Sequence, residues 1–147
     1  YQNEPGNEFC LEFPHNYVLI GKYLIPEQTK QIFFLANPST GDSEIGYMYN
    51  NDCVYHKLVN AKCLNFDVRF PIHKIVHKTS NCGTEVYWAQ PNADRRYINL
   101  DPAKIPYLAL PGSTPCNEDL SDQLDCNQIR VQPNYDIPQL FVSDVII

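Results

Sequence analysis

The residues best suited to molecular recognition lie in the segment from Asn81 to Pro102, NCGTEVYWAQPNADRRYINLDP, which contains the only tryptophan of the chain. Aromatic rings offer flat apolar surfaces to a sugar ring or to a protein side chain, and guanidinium and amide groups add directional hydrogen bonds. We therefore predict a binding surface in this segment. Its candidate residues are Tyr87, Trp88, Asn92, Asp94, Arg95, Arg96 and Tyr97.

The adjacent residues Tyr87 and Trp88 point to opposite faces if they belong to a regular strand. We expect that only one of the two enters the core. The other would then form the exposed binding surface, together with Arg95 and Arg96. The alternative interpretation is that Trp88 belongs to the core and that the two arginines only solvate a loop.

No local catalytic or metal-binding pattern is found in the sequence. GxSxG, GxGxxG, P-loop and HExxH motifs are absent. His73 and His77 have the spacing of a metal-binding pair, but no third ligand is indicated, so we predict surface histidines. An acidic cluster that lacks the central glycine of an EF-hand is predicted to be solvent-exposed rather than to bind calcium: Glu118, Asp119, Asp122 and Asp125. We predict a non-enzymatic protein without a metal or another cofactor.

The six cysteines predict an oxidised framework of up to three disulfides, because the number is even and the cysteines are spread over the chain. Zinc sites usually take their ligands in close pairs, whereas the nearest cysteines here are ten residues apart (63 − 53 and 126 − 116). Disulfides favour a secreted or extracellular protein. The pairing stays open among all six: Cys10, Cys53, Cys63, Cys82, Cys116 and Cys126.

Short apolar stretches separated by turn residues predict an all-β fold. QIFFLA (31–36) is typical of a buried strand, and LNFDVRF (64–70) alternates like a half-exposed one. Gly21 is a candidate β-bulge within the strand predicted for 16–24. The fold that we predict is a disulfide-braced antiparallel β-sandwich.

One short helix is predicted near residues 115–128. Thr114 can cap it, and Pro115 suits the first helical position. Leu120 and Leu124 would share one face. A helix over this range would hold Cys116 and Cys126 about 15 Å apart, too far for a disulfide between them.

A weak internal repeat suggests an alternative fold. Cys10, Cys63 and Cys116 are separated by 53 residues each (63 − 10 and 116 − 63), and CLEF after the first resembles CLNF after the second. Three copies would indicate a trefoil-like β-barrel.

The size and charge of the chain limit its partners. We expect residues 1–147 to form a single extracellular β domain. The net charge of −6 disfavours nucleic acid, and no apolar stretch reaches the 18 residues of a membrane span. We predict a secreted recognition domain that binds an extracellular or cell-surface protein through aromatic and polar loops. The alternatives are a carbohydrate-binding module that recognises a glycan, and a secreted hydrolase with dispersed carboxylates.

Overall fold

The computed structural model describes residues 11–49, 52–108 and 120–131, which contain two antiparallel sheets. The first sheet has four strands in sequential order: β1 (Val18–Ile25), β2 (Lys30–Ala36), β3 (Ser43–Tyr49) and β4 (His56–Asn60). The second has three: β5 (Lys74–Ser80), β6 (Gly83–Gln90) and β7 (Ala93–Asn99). Neither sheet closes on itself within these residues, so the alternative of a trefoil-like barrel is wrong for the described part of the chain.

Strand β2 lies at the centre of the first sheet, between β1 and β3, and is buried on both faces. Its residues Ile32 and Phe34 belong to the main core. Phe33 and Leu35 point to the opposite face and pack in a second, smaller apolar cluster with Met48. The prediction of a buried strand over 31–36 is confirmed, because a strand that is covered on both faces needs apolar residues at consecutive positions.

The two sheets contribute side chains to one hydrophobic core. The ring of Phe34 in β2 lies 5.4 Å from the ring of Trp88 in β6 and 5.7 Å from the ring of Phe66, measured between centroids. Val86 and Ile98 of the second sheet belong to the same cluster. Each large apolar side chain that is removed from water contributes about 1.5–3 kcal/mol to stability, so this shared core is the main force that holds the sheets together.

A β-bulge in β1 brings the segment before β5 against the first sheet. The pairing of β1 with β2 shifts register between Leu19 and Gly21, next to the predicted bulge: the residue without a partner is Ile20, whereas Gly21 pairs with Phe34. The carbonyl of Ile20 accepts a hydrogen bond from the backbone N–H of Ile72 at 2.8 Å. A Cβ atom at Gly21 would lie only 2.9 Å from the carbonyl oxygen of Ile72, so this close approach requires glycine.

The predicted strand over 64–70 is wrong. Its first residue, Leu64, ends a 3₁₀ turn (Lys62–Leu64), and the stretch contains no strand. Asn65 adopts a positive φ of 56°, and the carboxylate of Asp67 accepts a hydrogen bond from the backbone N–H of Arg69 at 2.9 Å. Local side-chain bonds of this kind favour turns over strands, and here they outweigh the alternating apolar pattern.

The predicted helix near 115–128 is wrong for residues 120–128, and residues 115–119 lie outside the described part. Two separate 3₁₀ turns are found there, Leu120–Asp122 and Cys126–Ile129. Between them Leu124 forms an isolated antiparallel bridge with Tyr107. The carboxylate of Asp125 then caps the second turn by accepting from the N–H of Asn127 at 3.1 Å.

A disulfide joins Cys63 to Cys126 and so connects two 3₁₀ turns that are 63 residues apart in sequence. Cys53 is also disulfide-bonded. Cys82 differs from the prediction, because it is an exposed free thiol in the turn between β5 and β6, where its side chain faces solvent. The remaining two cysteines, Cys10 and Cys116, lie outside the described residues.

Candidate functional site

The second sheet separates the predicted binding residues onto two faces. Trp88 is 2 % exposed and packs in the shared core, whereas its neighbour Tyr87 lies on the outer face. The expectation that only one of the two is buried is confirmed. The part of the alternative interpretation that places Trp88 in the core is therefore correct, whereas Arg95 and Arg96 lie in β7 and not in a loop.

The outer face of the second sheet carries a row of apolar and aromatic side chains across its three strands. Val76 in β5 pairs with Tyr87 in β6, which pairs with Tyr97 in β7. The two tyrosine rings stack with centroids 5.5 Å apart and an interplanar angle of 25°. Val76 is 62 % exposed although it lies in the middle of its strand. We call Val76, Tyr87, Tyr97 and the adjacent Arg95 the tyrosine face.

The hydroxyl of Tyr87 is fixed by a neighbour on the same strand. It donates a hydrogen bond to the carboxylate of Glu85. This bond is the main cause that raises the pKa of Tyr87 to about 12. The ring of Tyr87 is held in place both by the bond to Glu85 and by the stack on Tyr97.

Charged residues surround the three apolar and aromatic side chains of the tyrosine face. Lys78 pairs across the strands with Glu85, and Lys74 pairs with Ala89 further along β5. Both lysines are exposed, and so is Arg95 in β7. An apolar and aromatic centre with a charged rim is the usual composition of a protein interface.

The turn between β6 and β7 is anchored to the interior through Gln90, which is 6 % exposed. The indole N–H of Trp88 donates to Gln90 Oε1 at 3.1 Å. The amide nitrogen of Gln90 donates to the carbonyl oxygens of Leu64 and Asn65, at 3.2 and 3.1 Å. Asn92 Nδ2 donates to the carbonyl of Asn65 at 2.8 Å as well. Gln90 and Asn92 thus fix the position of the turn.

Arg96 lies on the inner side of β7 and is half-buried. Its Nη1 donates to the carbonyl oxygen of Leu64 at 2.6 Å, but its enclosed Nε has no acceptor. Burial lowers the pKa of Arg96, and no carboxylate among the described residues forms an ion pair with it. Arg96 is therefore a partly desolvated cation without a counter-ion in the described part of the chain.

A second arginine lies beside it. Residues 130 and 131 run antiparallel to β7, with a bridge between Arg96 and Arg130 and a 3.0 Å bond from the N–H of Val131 to the carbonyl of Arg95. The guanidinium of Arg130 forms an ion pair with Asp94. Asp94 therefore neutralises Arg130.

Arg96 and the ion pair of Asp94 with Arg130 border an open cleft of about 640 Å³, which we call the arginine cleft. It lies between the β6–β7 turn and the 3₁₀ turn at Cys126–Ile129, with the disulfide at one side. Its main lining residues are Asn65, Asn92, Asp94, Arg96, Asn127 and Arg130.

The predicted binding residues therefore do not form a single surface. Tyr87, Arg95 and Tyr97 share the tyrosine face. The remaining four are divided between the arginine cleft and the core: Asn92, Asp94, Arg96 and Trp88. Sequence reasoning did not include Val76, Gln90 or Arg130. Val76 could have been found from the alternation of the segment KIVHKTS, in which it shares a face with Lys74 and Lys78.

The two histidines and the acidic cluster were considered as possible metal ligands, and the structure shows which protein groups they contact. His77 Nδ1 lies 2.6 Å from the hydroxyl of Tyr23, and its Nε2 lies 3.2 Å from the carboxylate of Glu27. His73 is exposed. Asp122 lies 3.2 Å from the amine of Lys57. Within residues 11–49, 52–108 and 120–131 no group of three possible metal ligands is found, and Glu118 and Asp119 lie outside these ranges.

No protein-family model, curated protein or solved structure matches this chain. In the described ranges, no helix has the length and apolar character needed to cross a membrane.

Proposed function

We propose that this chain is a secreted, non-enzymatic recognition domain that binds an extracellular or cell-surface protein through the tyrosine face. The observation that carries the proposal is the row of Val76, Tyr87 and Tyr97 across the centre of the second sheet, in which Val76 is exposed and the two tyrosines are half-buried. A partner that covers Val76 and the two stacked tyrosines would remove their apolar surface from water, and this burial would stabilise the complex. The disulfide between Cys63 and Cys126 supports an oxidising, extracellular location.

The composition of the tyrosine face suits a protein partner. Tyrosine and arginine are enriched among the residues that contribute most to protein binding energy. The stack and the bond to Glu85 already order the ring of Tyr87, so little conformational entropy is lost on binding. Lys74, Lys78 and Arg95 on the rim would steer a partner with an acidic surface.

The architecture that we infer for this face is a disulfide-braced β-sandwich. The two sheets share one core, with Phe34 of the first sheet against Trp88 of the second. In a sandwich the inner faces of both sheets pack together, and the outer face of each can stay open to a ligand. The tyrosine face would be such an outer face.

The experiment uses the full oxidised chain as bait for cross-linking to extracellular fluid and cell surfaces, followed by affinity measurement with each purified partner. The variant Val76→Lys places a charge in the centre of the tyrosine face and should weaken binding at least tenfold. Val54→Lys is the matched control, because Val54 is 50 % exposed in the loop before β4. Equal affinities of the two variants for every partner would refute the proposal.

A carbohydrate-binding module is the second candidate. It is favoured by the flat tyrosine pair, which is flanked by the hydrogen-bonding side chains of Glu85 and Asn99. A glycan array separates the two candidates. Binding to a defined sugar that is lost in Tyr97→Ala but kept in Val54→Lys would favour the module, and an array without any bound sugar would eliminate it.

A further inference from the structure

We propose that the arginine cleft binds an oxyanion, either a carboxylate or a sulfate group, through the guanidinium of Arg96. The cleft lies on the inner side of β7, whereas the tyrosine face lies on the outer side. The inference therefore does not rest on the proposed function.

The charge of Arg96 is the first argument. The chain has 17 acidic and 11 basic side chains, so acidic partners are plentiful. Even so, Arg96 is half-buried without an ion pair in the described part of the chain, and its Nε–H has no acceptor. A partly desolvated cation that lacks a counter-ion is unfavourable. A bound oxyanion would supply the missing negative charge.

The charged side chains next to Arg96 do not compensate its positive charge. Among the described residues that line the cleft, Asp94 is the acidic one, and it is bound to Arg130. The pair is neutral together, so the three side chains leave one net positive charge at Arg96. The ion pair also holds Arg130 at the cleft border, and it keeps the carboxylate of Asp94 on Arg130 rather than on Arg96.

The shape of the cleft indicates the size of the ligand. A guanidinium is planar and offers parallel N–H groups, which match the oxygens of a carboxylate or a sulfate. The cleft volume of about 640 Å³ lies in the range of pockets for small organic molecules, and it is far larger than a free acetate or sulfate ion. The cleft therefore has room for an oxyanion that is one group of a larger molecule.

The rest of the cleft is rigid and polar. The amides of Asn65 and Asn92 are joined by reciprocal bonds to each other's backbone carbonyls, at 3.2 and 2.8 Å. Asn127 is exposed on the facing 3₁₀ turn, so its amide can reach a ligand. The disulfide between Cys63 and Cys126 joins the 3₁₀ turn at Cys126–Ile129 to the turn at Lys62–Leu64, and the bonds between Asn65 and Asn92 connect the latter to the β6–β7 turn.

The test is an NMR titration of the ¹⁵N-labelled full chain with sodium acetate and, separately, with sodium sulfate, against sodium chloride at equal ionic strength. We expect a saturable shift of the Nε–Hε resonance of Arg96 and of the side-chain amide of Asn127. The corresponding resonance of Arg95, on the outer face, should not move. A stronger response to acetate identifies a carboxylate ligand, and a stronger response to sulfate identifies a sulfate.

Variants provide a second readout. Arg96→Gln should weaken oxyanion binding by about tenfold or more, as expected when a charged hydrogen bond is lost. Arg69→Gln is the control, because Arg69 is exposed and pairs with Asp67 outside the cleft, and it should bind acetate and sulfate like the wild type. Arg96→Lys keeps the charge but loses the planar donors, so it should bind with intermediate affinity. The proposal is overturned if chloride produces the same shifts at Arg96, or if Arg96→Gln binds acetate and sulfate as well as the wild type.

Discussion

Replacement of Gln90 by leucine tests whether the turn between β6 and β7 is held by the buried amide. Leucine has a similar volume but cannot accept the hydrogen bond from the indole N–H of Trp88. Trp88 is 2 % exposed, so its N–H would be buried without an acceptor. Leaving one buried donor unsatisfied costs about 1–3 kcal/mol.

The carbonyl oxygens of Leu64 and Asn65 would each lose the hydrogen bond from Gln90, but each keeps another donor. Leu64 keeps its bond from Arg96 at 2.6 Å, and Asn65 keeps its bond from Asn92 at 2.8 Å. The indole therefore dominates, and we expect Gln90→Leu to lower the free energy of unfolding by about 2 kcal/mol.

Urea denaturation followed by circular dichroism measures this loss. Gln128→Leu is the matched control, because Gln128 is exposed and should change stability by no more than about 0.5 kcal/mol. Trp88→Phe removes the donor itself, so the double variant should lose less stability than the sum of the two single losses. If Gln90→Leu is as stable as the control, or if the losses simply add, the proposed role of the amide is wrong.

Two further predictions concern the packing. Cys63→Ala with Cys126→Ala opens a loop of 63 residues, and the chain-entropy model predicts a loss of about 4 kcal/mol in urea denaturation; a loss below about 1 kcal/mol would contradict it. Gly46→Ala would place a Cβ against the ring of Tyr55, whose hydroxyl donates to the buried carboxylate of Glu44. We expect a loss of about 1–3 kcal/mol and an altered near-ultraviolet tyrosine signal, whereas Gly41→Ala, with open space around it but a φ of +78°, should leave that signal unchanged.

The strands were predictable where burial alone decides the structure. The apolar stretch 31–36 matches β2 because that strand is covered on both faces. The apolar pattern did not predict the structure of 64–70. There the positive φ of Asn65 and the hydrogen bond accepted by the carboxylate of Asp67 favour turns over a strand. The apolar pattern failed again for 120–128, where the spacing of Leu120 and Leu124 fits a helix but tertiary pairing with Tyr107 breaks the segment.

The candidate sites were predictable only in part. Strand alternation correctly separates Tyr87 from Trp88, because it depends on adjacent residues alone. The arginine cleft depends on Arg130, which lies 34 residues after Arg96 (130 − 96) and comes next to it only through the fold. A sequence pattern without a relative for comparison cannot show such a contact.

The central claim is that the tyrosine face contacts a protein partner, and hydroxyl-radical footprinting of the complex tests it most directly. Tyr49 provides an internal control, because it is 43 % exposed on the other sheet. The claim predicts that oxidation of Tyr87 and Tyr97 falls when the partner binds, while oxidation of Tyr49 is unchanged. Unchanged oxidation of Tyr87 and Tyr97 in a saturated complex would contradict it.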